Sequence, residues 1–289
     1  MAQEGQTIIE AHGLTRSYRG SGRGIRNLSF EVKEGETVAL LGLNGAGKST
    51  TFKCLTGLLS LDAGHVNVCG ISLEEDRLEA SRSLGYLPEQ APLHPDLTPR
   101  EHLAFECRVR NRKLGEQFDE IVEICELKEI LDRPVRELSR GFRQRVGLAN
   151  SLAHEPRLLL LDEPTASLDP HQVEQFRQLI ARASKKSAII LSTHILAEVE
   201  ALCGRCLILH EGELIESLPL PVESSGKIEV EWREKGEAIW RKELLDAGKQ
   251  TPEALLSDLI QQGKEVRHFT PHTLSLEDHF LKATQGKAK

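Results

Sequence analysis

Residues 42–50 read GLNGAGKST, a glycine-rich turn running into a lysine and two hydroxyls. Gly42, Gly45 and Gly47, with the small Ala46, let successive backbone N–H groups converge on one point through torsions and close approaches that larger side chains would obstruct. Asn44 completes the turn, Lys48 adds a point charge, and Ser49 and Thr50 add hydroxyls. The pattern suits the β and γ phosphates of a nucleotide, with Ser49 as a ligand for Mg²⁺. It works only between a strand and a helix. The apolar run Val38–Leu41 supplies the strand, and a helix is predicted from near Lys48.

Two acids close a second apolar run. Leu158–Leu161 is four leucines, the pattern of a strand buried on both faces of a parallel sheet. Asp162 and Glu163 therefore stand at a strand's carboxyl end, where open α/β sheets bind ligands. Asp162 can hold Mg²⁺ directly or through water, and Glu163 can polarise an attacking water. His194 follows a third apolar stretch, in SAIILSTHI. A lone histidine there is commonly a structural hydrogen-bonder, but beside two strands that define a γ-phosphate site it reads as a sensor of that phosphate. The stretch LSRGFRQRVGLA, Leu138–Ala149, raises a puzzle. A serine, a glycine and an arginine ahead of an apolar helical run make a second helix N-terminus suited to an anion.

The P-loop, LSRGF, DEPT, SLD and STH, in this order over about residues 7–216, resemble the nucleotide-binding subunit of an ABC transporter. The resemblance implies an α/β P-loop NTPase fold with a RecA-like core, an antiparallel β-subdomain and a helical subdomain inserted at about residues 90–155. It implies ATP and Mg²⁺, and a homodimer in which two subunits meet head to tail with each ATP between the P-loop of one and the signature segment of the other. Ser139, Arg140 and Gly141 then serve the partner's nucleotide, which accounts for the second anion device. By the same resemblance Tyr18 stacks on adenine and Asp169 belongs to a D-loop that contacts the facing subunit. In GYLPEQ the Q-loop ligand for Mg²⁺ falls to Glu89, with its neighbour Gln90 as the alternative. The signature departs from LSGGQ at Arg140 and Phe142. Such variants, followed by RQR, resemble subunits of ABC-2 type exporters, including those associated with gliding motility. The implied activity is ATP hydrolysis driving transport through separate polytopic membrane subunits, from the cytoplasmic face of the cell membrane.

Around these motifs, alternation in LSFEV and HVNVCG predicts half-buried antiparallel strands. Helical spacing runs through EHLAFECRVRNR, FDEIVEICELKEILDR and FRQRVGLANSLAHE. The arginine-rich loop between Arg19 and Arg26 reads as solvated surface charge. After Glu216, LPLPVESSG reads as a linker, dividing an ATPase domain of residues 1–218 from a small α/β appendage of residues 219–289. In the appendage KIEVEW and EVRHF read as strands, and AIWRKELLDAG, PEALLSDLIQQG and LSLEDHFLKAT as helices.

Charge narrows the function further. Lys and Arg number 37 against 44 Asp and Glu, a net −7, so no uniform basic surface is available and no nucleic-acid partner is expected. That weighs against the rival reading, a soluble ABC-type ATPase that clamps nucleic acid or a ribosome, as do the single cassette and the lack of long coiled-coil heptads. A P-loop kinase or GTPase needs neither the second anion device nor the histidine. The start MAQEGQTIIEAHG shows no secretory signal, and the six scattered cysteines fit a reduced, cytosolic compartment. Cys203 and Cys206, in CGRC, have the spacing of half a zinc site without a second half, and read as buried structural thiols.

Overall fold

Alternating apolar residues build the first sheet. β1 (Thr7–Ser17) and β2 (Gly24–Lys33) pair antiparallel, followed by the buried β3 (Thr37–Leu41) and α1 (Lys48–Leu55). β4 (Ala63–Val68), β5 (Ile71–Ser72) and α2 (Arg77–Arg82) lead to β6 (Leu84–Leu87). The sheet β2-β1-β4-β5 turns Leu28, Val32, Val66 and Val68 into the core, as their alternation requires. In this computed structural model residues 5–18, 20, 23–110, 115, 117–166, 168–222, 224–246, 251–273 and 275–285 are described. The chain divides into two compact units, Met1–Leu218 and Pro219–Lys289.

Helices fill the middle of the first unit. α3 (Pro99–Val109) starts on a capping box, in which Thr98 Oγ1 accepts from the Glu101 N–H while the Glu101 carboxylate accepts from the Thr98 N–H. α4 (Gln117–Ile124) is shorter than the helical spacing of FDEIVEICELKEILDR predicts. Glu126 takes a left-handed φ of 54° beyond its end, and only two 3₁₀ turns, Lys128–Ile130 and Val135–Glu137, follow before the next helix. The cause is tertiary. Leu127 is fully buried, and the Glu126 carboxylate accepts from both Arg145 and Arg182. α5 (Arg140–Leu152) then closes this region.

The second half of the unit returns to the sheet through β7 (Leu158–Asp162), α6 (Pro170–Ala183), β8 (Ala188–Thr193), α7 (Leu196–Leu202), β9 (Arg205–His210) and β10 (Glu213–Pro219). Six strands order as β10-β9-β3-β8-β7-β6, with β9, β3, β8, β7 and β6 parallel. Every residue of β7 and β8 is buried, which explains their unbroken apolar runs. The register sets Leu41 beside Thr193 and Asp162 beside Ser192, so β3, β8 and β7 end at one level.

The second unit contains β11 (Ser224–Glu234), β12 (Arg241–Asp246), α8 (Pro252–Gln261), β13 (Lys264–Thr273) and α9 (Leu276–Gln285). Its antiparallel sheet β12-β11-β13 packs Ile228, Val230 and Trp232 against Leu255 and Leu259 of α8. Two expectations fail here. AIWRKELLDAG is not a helix, because Arg241–Asp246 pairs residue by residue with Trp232–Lys227 as an edge strand, and cross-strand pairing overrides its helical spacing. The linker is also shorter than LPLPVESSG suggests, since β10 extends through Pro219 and β11 begins at Ser224.

Five of the six cysteines are buried, and Cys69 is half-buried. Burial pushes the Cys54 thiol up to about 11 and those of Cys203 and Cys206 up to about 12. No group of three or more His, Cys, Asp or Glu that could hold a metal occurs among the described residues. An aromatic disulfide reagent at mildly alkaline pH should therefore titrate at most Cys69 in the native protein and all six thiols once it is unfolded. Rapid modification of the CGRC pair in the folded chain would contradict this packing.

Candidate functional site

The turn between β3 and α1 owes its shape to two glycines. Gly47 holds φ at 109°, and a Cβ there would lie 3.0 Å from Ile25 Cγ2 and 3.1 Å from the Gly24 carbonyl oxygen. At Gly42 a Cβ would come within 2.6 Å of the Leu209 carbonyl oxygen. Ala46 packs inside the turn at 5% exposure. Lys48, itself 5% exposed, donates from Nζ to the carbonyls of Gly42 (2.8 Å) and Leu43 (3.3 Å), and lies 2.9 Å from Glu163 Oε1. Asn44, Gly45, Gly47, Lys48, Ser49 and Thr50 line a cleft of about 590 Å³. Tyr18, Arg23, Gly24, Glu89 and Glu163 complete its wall, and Gln90 does not line it.

Glu163 is strained into place. Its φ of 44° is uncommon for a residue with a side chain, and its N–H is held by Ser192 through both Oγ (2.9 Å) and the carbonyl oxygen (3.1 Å). Ser192 Oγ also donates to Asp162 Oδ1 at 2.6 Å, so one serine of β8 orients both acids at the end of β7. Spacing alone does not mark Ser192; its role depends on the register of β7 against β8. Glu163 Oε2 lies 2.9 Å from His194 Nδ1. One carboxylate therefore bridges a lysine of the P-loop and the histidine after β8. The hydroxyl of Ser49 and the carboxylates of Asp162 and Glu89 are hard oxygen donors, a set that fits Mg²⁺.

Tyr18 lines the cleft with its hydroxyl 3.4 Å from Thr50 Oγ1. An anchor absent from the sequence reading holds its strand end. Asp62 accepts from the Ser17 N–H (2.7 Å), the Ser17 hydroxyl (2.9 Å) and Arg16 (3.0 Å). The Ser17 backbone N–H, then its hydroxyl, keep the Asp62 carboxyl below the usual carboxylate range. Arg23 is exposed, as expected of that loop, and also lines the cleft, while residues 19, 21 and 22 of its loop lie outside the described residues.

The second anion device sits elsewhere in the chain. Ser139 caps α5, its Oγ accepting from the Phe142 N–H at 3.3 Å, and Arg140 begins the helix. A Cβ on Gly141 would lie 3.0 Å from the Gln172 side chain, which begins beside the cap that Asp169 makes on α6 through the Gln172 N–H (2.9 Å). None of Ser139, Arg140, Gly141 or Asp169 lines the cleft that Lys48, Glu89 and Glu163 share, and neither do Gly42, Ala46, Asp162 or His194, which stand at or beside the strand ends.

Comparison with known proteins accords with this geometry. The family profile described as ABC transporter matches residues 25–166. The chain is 33% identical to the uncharacterized ABC transporter ATP-binding protein YdbJ of Bacillus subtilis over 96% of each chain. It is also 33% identical to the bacitracin transport ATP-binding protein BcrA of Bacillus licheniformis, over 97% of this chain and 98% of that one. Among solved structures, the dimeric bacterial ABC transporter cassette MJ0796 superposes with a TM-score of 0.67 at 25% identity, over 75% of this chain and all of that one. With a full-length relative at this identity, and with a P-loop and a carboxylate pair on adjoining strand ends, the chain belongs to the ATP-binding subunits of ABC transporters and is an ATPase of that cassette family.

Proposed function

We propose that this chain hydrolyses ATP as one half of a head-to-tail homodimer and drives an ABC-2 type exporter through separate membrane subunits. The observation that carries the proposal is the separation of the two phosphate-binding devices. Lys48, Glu163 and Glu89 share one cleft, while Ser139, Arg140 and Gly141 lie outside it. A second copy supplies the signature segment across the nucleotide. Ser139 then donates its hydroxyl, and the start of α5 its N–H groups, to a γ-phosphate that ADP lacks. ATP thereby favours the dimer, because a ligand shifts an equilibrium only by binding one state better.

Within each site Tyr18 stacks on the adenine, and the P-loop N–H groups and Lys48 hold the phosphates. Ser49, Asp162 and Glu89 hold Mg²⁺, which supplies charge neutralisation for the β and γ phosphates when bound. Lys48 is engaged by Glu163 in this structure. A γ-phosphate takes up the lysine's charge and leaves the carboxylate to accept a proton from the attacking water. His194 orients Glu163 and contacts the γ-phosphate, while Asp169 links the two sites. The relatives' names support a transporter role over a nucleic-acid clamp. No helix among the described residues is long and apolar enough to cross a membrane. The proposed role would put the chain at the cytoplasmic face, against membrane-spanning partners.

Light scattering on Glu163→Gln with Mg²⁺ and either ATP or ADP tests this reading. The variant should lose roughly 100-fold or more in kcat and form a dimer with ATP alone. Wild-type turnover, or a monomer with both nucleotides, would overturn the assignment. A second outcome follows from the strap that holds Tyr18. Asp62→Ala should raise the ATP dissociation constant roughly three- to tenfold, with kcat at saturation unchanged. Because the folded-state pKa of Asp62 is depressed, its anchoring is present at neutral pH and is lost only as pH falls through that value in the acid range. The effect should therefore be undiminished between pH 6 and 8, as about the neutral window in which this carboxylate stays ionised.

A further inference from the structure

Glu198 lies in the first turn of α7 and is 1% exposed. No ion pair reaches it among the described residues, so burying this carboxylate is costly unless its hydrogen bonds serve a purpose. Those bonds come from two hydroxyls on different parts of the chain. Oε1 accepts from Thr165, and Oε2 accepts from Thr193 at 2.7 Å. Both threonines are buried, at 4% and 2% exposure. Thr193 Oγ1 in turn accepts from the Ile195 N–H at 3.0 Å, so the network continues across His194.

The positions of these threonines give the carboxylate its meaning. Thr165 belongs to the turn that begins at Glu163, closed by the Ala166 N–H donating to the Glu163 carbonyl at 3.0 Å. Thr193 is the residue before His194. One buried side chain thus holds the hydroxyl of a threonine close in sequence to each of two groups that touch at 2.9 Å, Glu163 Oε2 and His194 Nδ1. Glu163 also needs such support because its backbone is held at a φ of 44°.

We propose that Glu198 is a positioning residue for ATP hydrolysis, tying the turn that carries Glu163 to the strand end that carries His194 and so setting the geometry of that pair. The proposal rests on the assignment of Glu163 and His194 made above. It treats Glu198 as acting through those two groups, without contact to the nucleotide.

Glu198→Gln keeps the shape but replaces one acceptor oxygen by an NH2 donor, so one threonine hydroxyl must turn round to accept and both ties lose their charge, without leaving a cavity. It should lower kcat about 10- to 100-fold, the cost of a misplaced catalytic pair, and leave ATP affinity within about twofold. Thr193→Val and Thr165→Val should reproduce the loss, and the serine variants of the same positions should restore the rate. In a His194→Ala background Glu198→Gln should cost less than about twofold more, since both changes act through the same pair. If Glu198→Gln lowers the melting temperature alone, or costs the same factor in both backgrounds, the carboxylate is structural and the proposal fails. Should that variant not fold, the Thr193→Val and Thr193→Ser comparison decides in the same way. Wild-type rates in both Glu163→Gln and His194→Ala would instead overturn the site assignment on which the proposal rests.

Discussion

Three parallel strands that end at one level hold the site together. β3 gives way to the P-loop, β7 ends in Asp162 and Glu163, and β8 ends just before His194, with Leu41 beside Thr193 and Asp162 beside Ser192. That register brings groups more than a hundred residues apart in sequence within hydrogen-bonding distance. It also explains why Glu163 can face Lys48 at 2.9 Å and His194 at 2.9 Å with opposite oxygens of one carboxylate. A slip of one residue in any of these strands would turn its terminal side chain to the other face of the sheet. Such a slip would also part Asp162 from Ser192 Oγ, which donates to it at 2.6 Å.

The same logic separates what could be read in the sequence from what could not. Gly42–Thr50, Asp162, Glu163 and His194 were legible because their chemistry is tied to short patterns next to apolar runs. The contacts of Ser192, Asp62 and Glu198 were not, since they arise from pairings between distant elements. Ser192 reaches Asp162 only through strand register, and Asp62 reaches Ser17 across 45 positions. Periodicity misled in the same places. Arg241–Asp246 carries helical spacing but lies along β11, and the helix through FDEIVEIC stops where Glu126 is drawn to Arg145 and Arg182. The small edge strand and the short helix are decided by partners that no local window contains.

The placement of the signature segment bears most on function. Ser139 and Gly141 keep the features that suit a phosphate, yet α5 starts away from the cleft and beside Gln172 of α6. Within one chain the segment lines no part of that cleft. Its arginine and phenylalanine variations leave that geometry intact, since Arg140 begins the helix and the Phe142 N–H still meets the Ser139 hydroxyl. A second copy related by a two-fold axis would bring the same surfaces together twice, which is how a closed dimer satisfies two incomplete sites at once.

If each nucleotide is held by two chains, two variants broken in different phosphate-binding devices should complement one another when mixed. Lys48→Ala spoils the P-loop of one chain and Ser139→Arg the signature of another, both placed in a Glu163→Gln background to stop turnover. Alone, neither variant should dimerise with ATP, although the chain with Ser139→Arg should still bind it. Mixed, the intact P-loop of one meets the intact signature of the other, and light scattering should report a heterodimer that appears with ATP and is absent with ADP. A mixture that stays monomeric, or a Ser139→Arg protein that dimerises as well as its parent, would contradict the account.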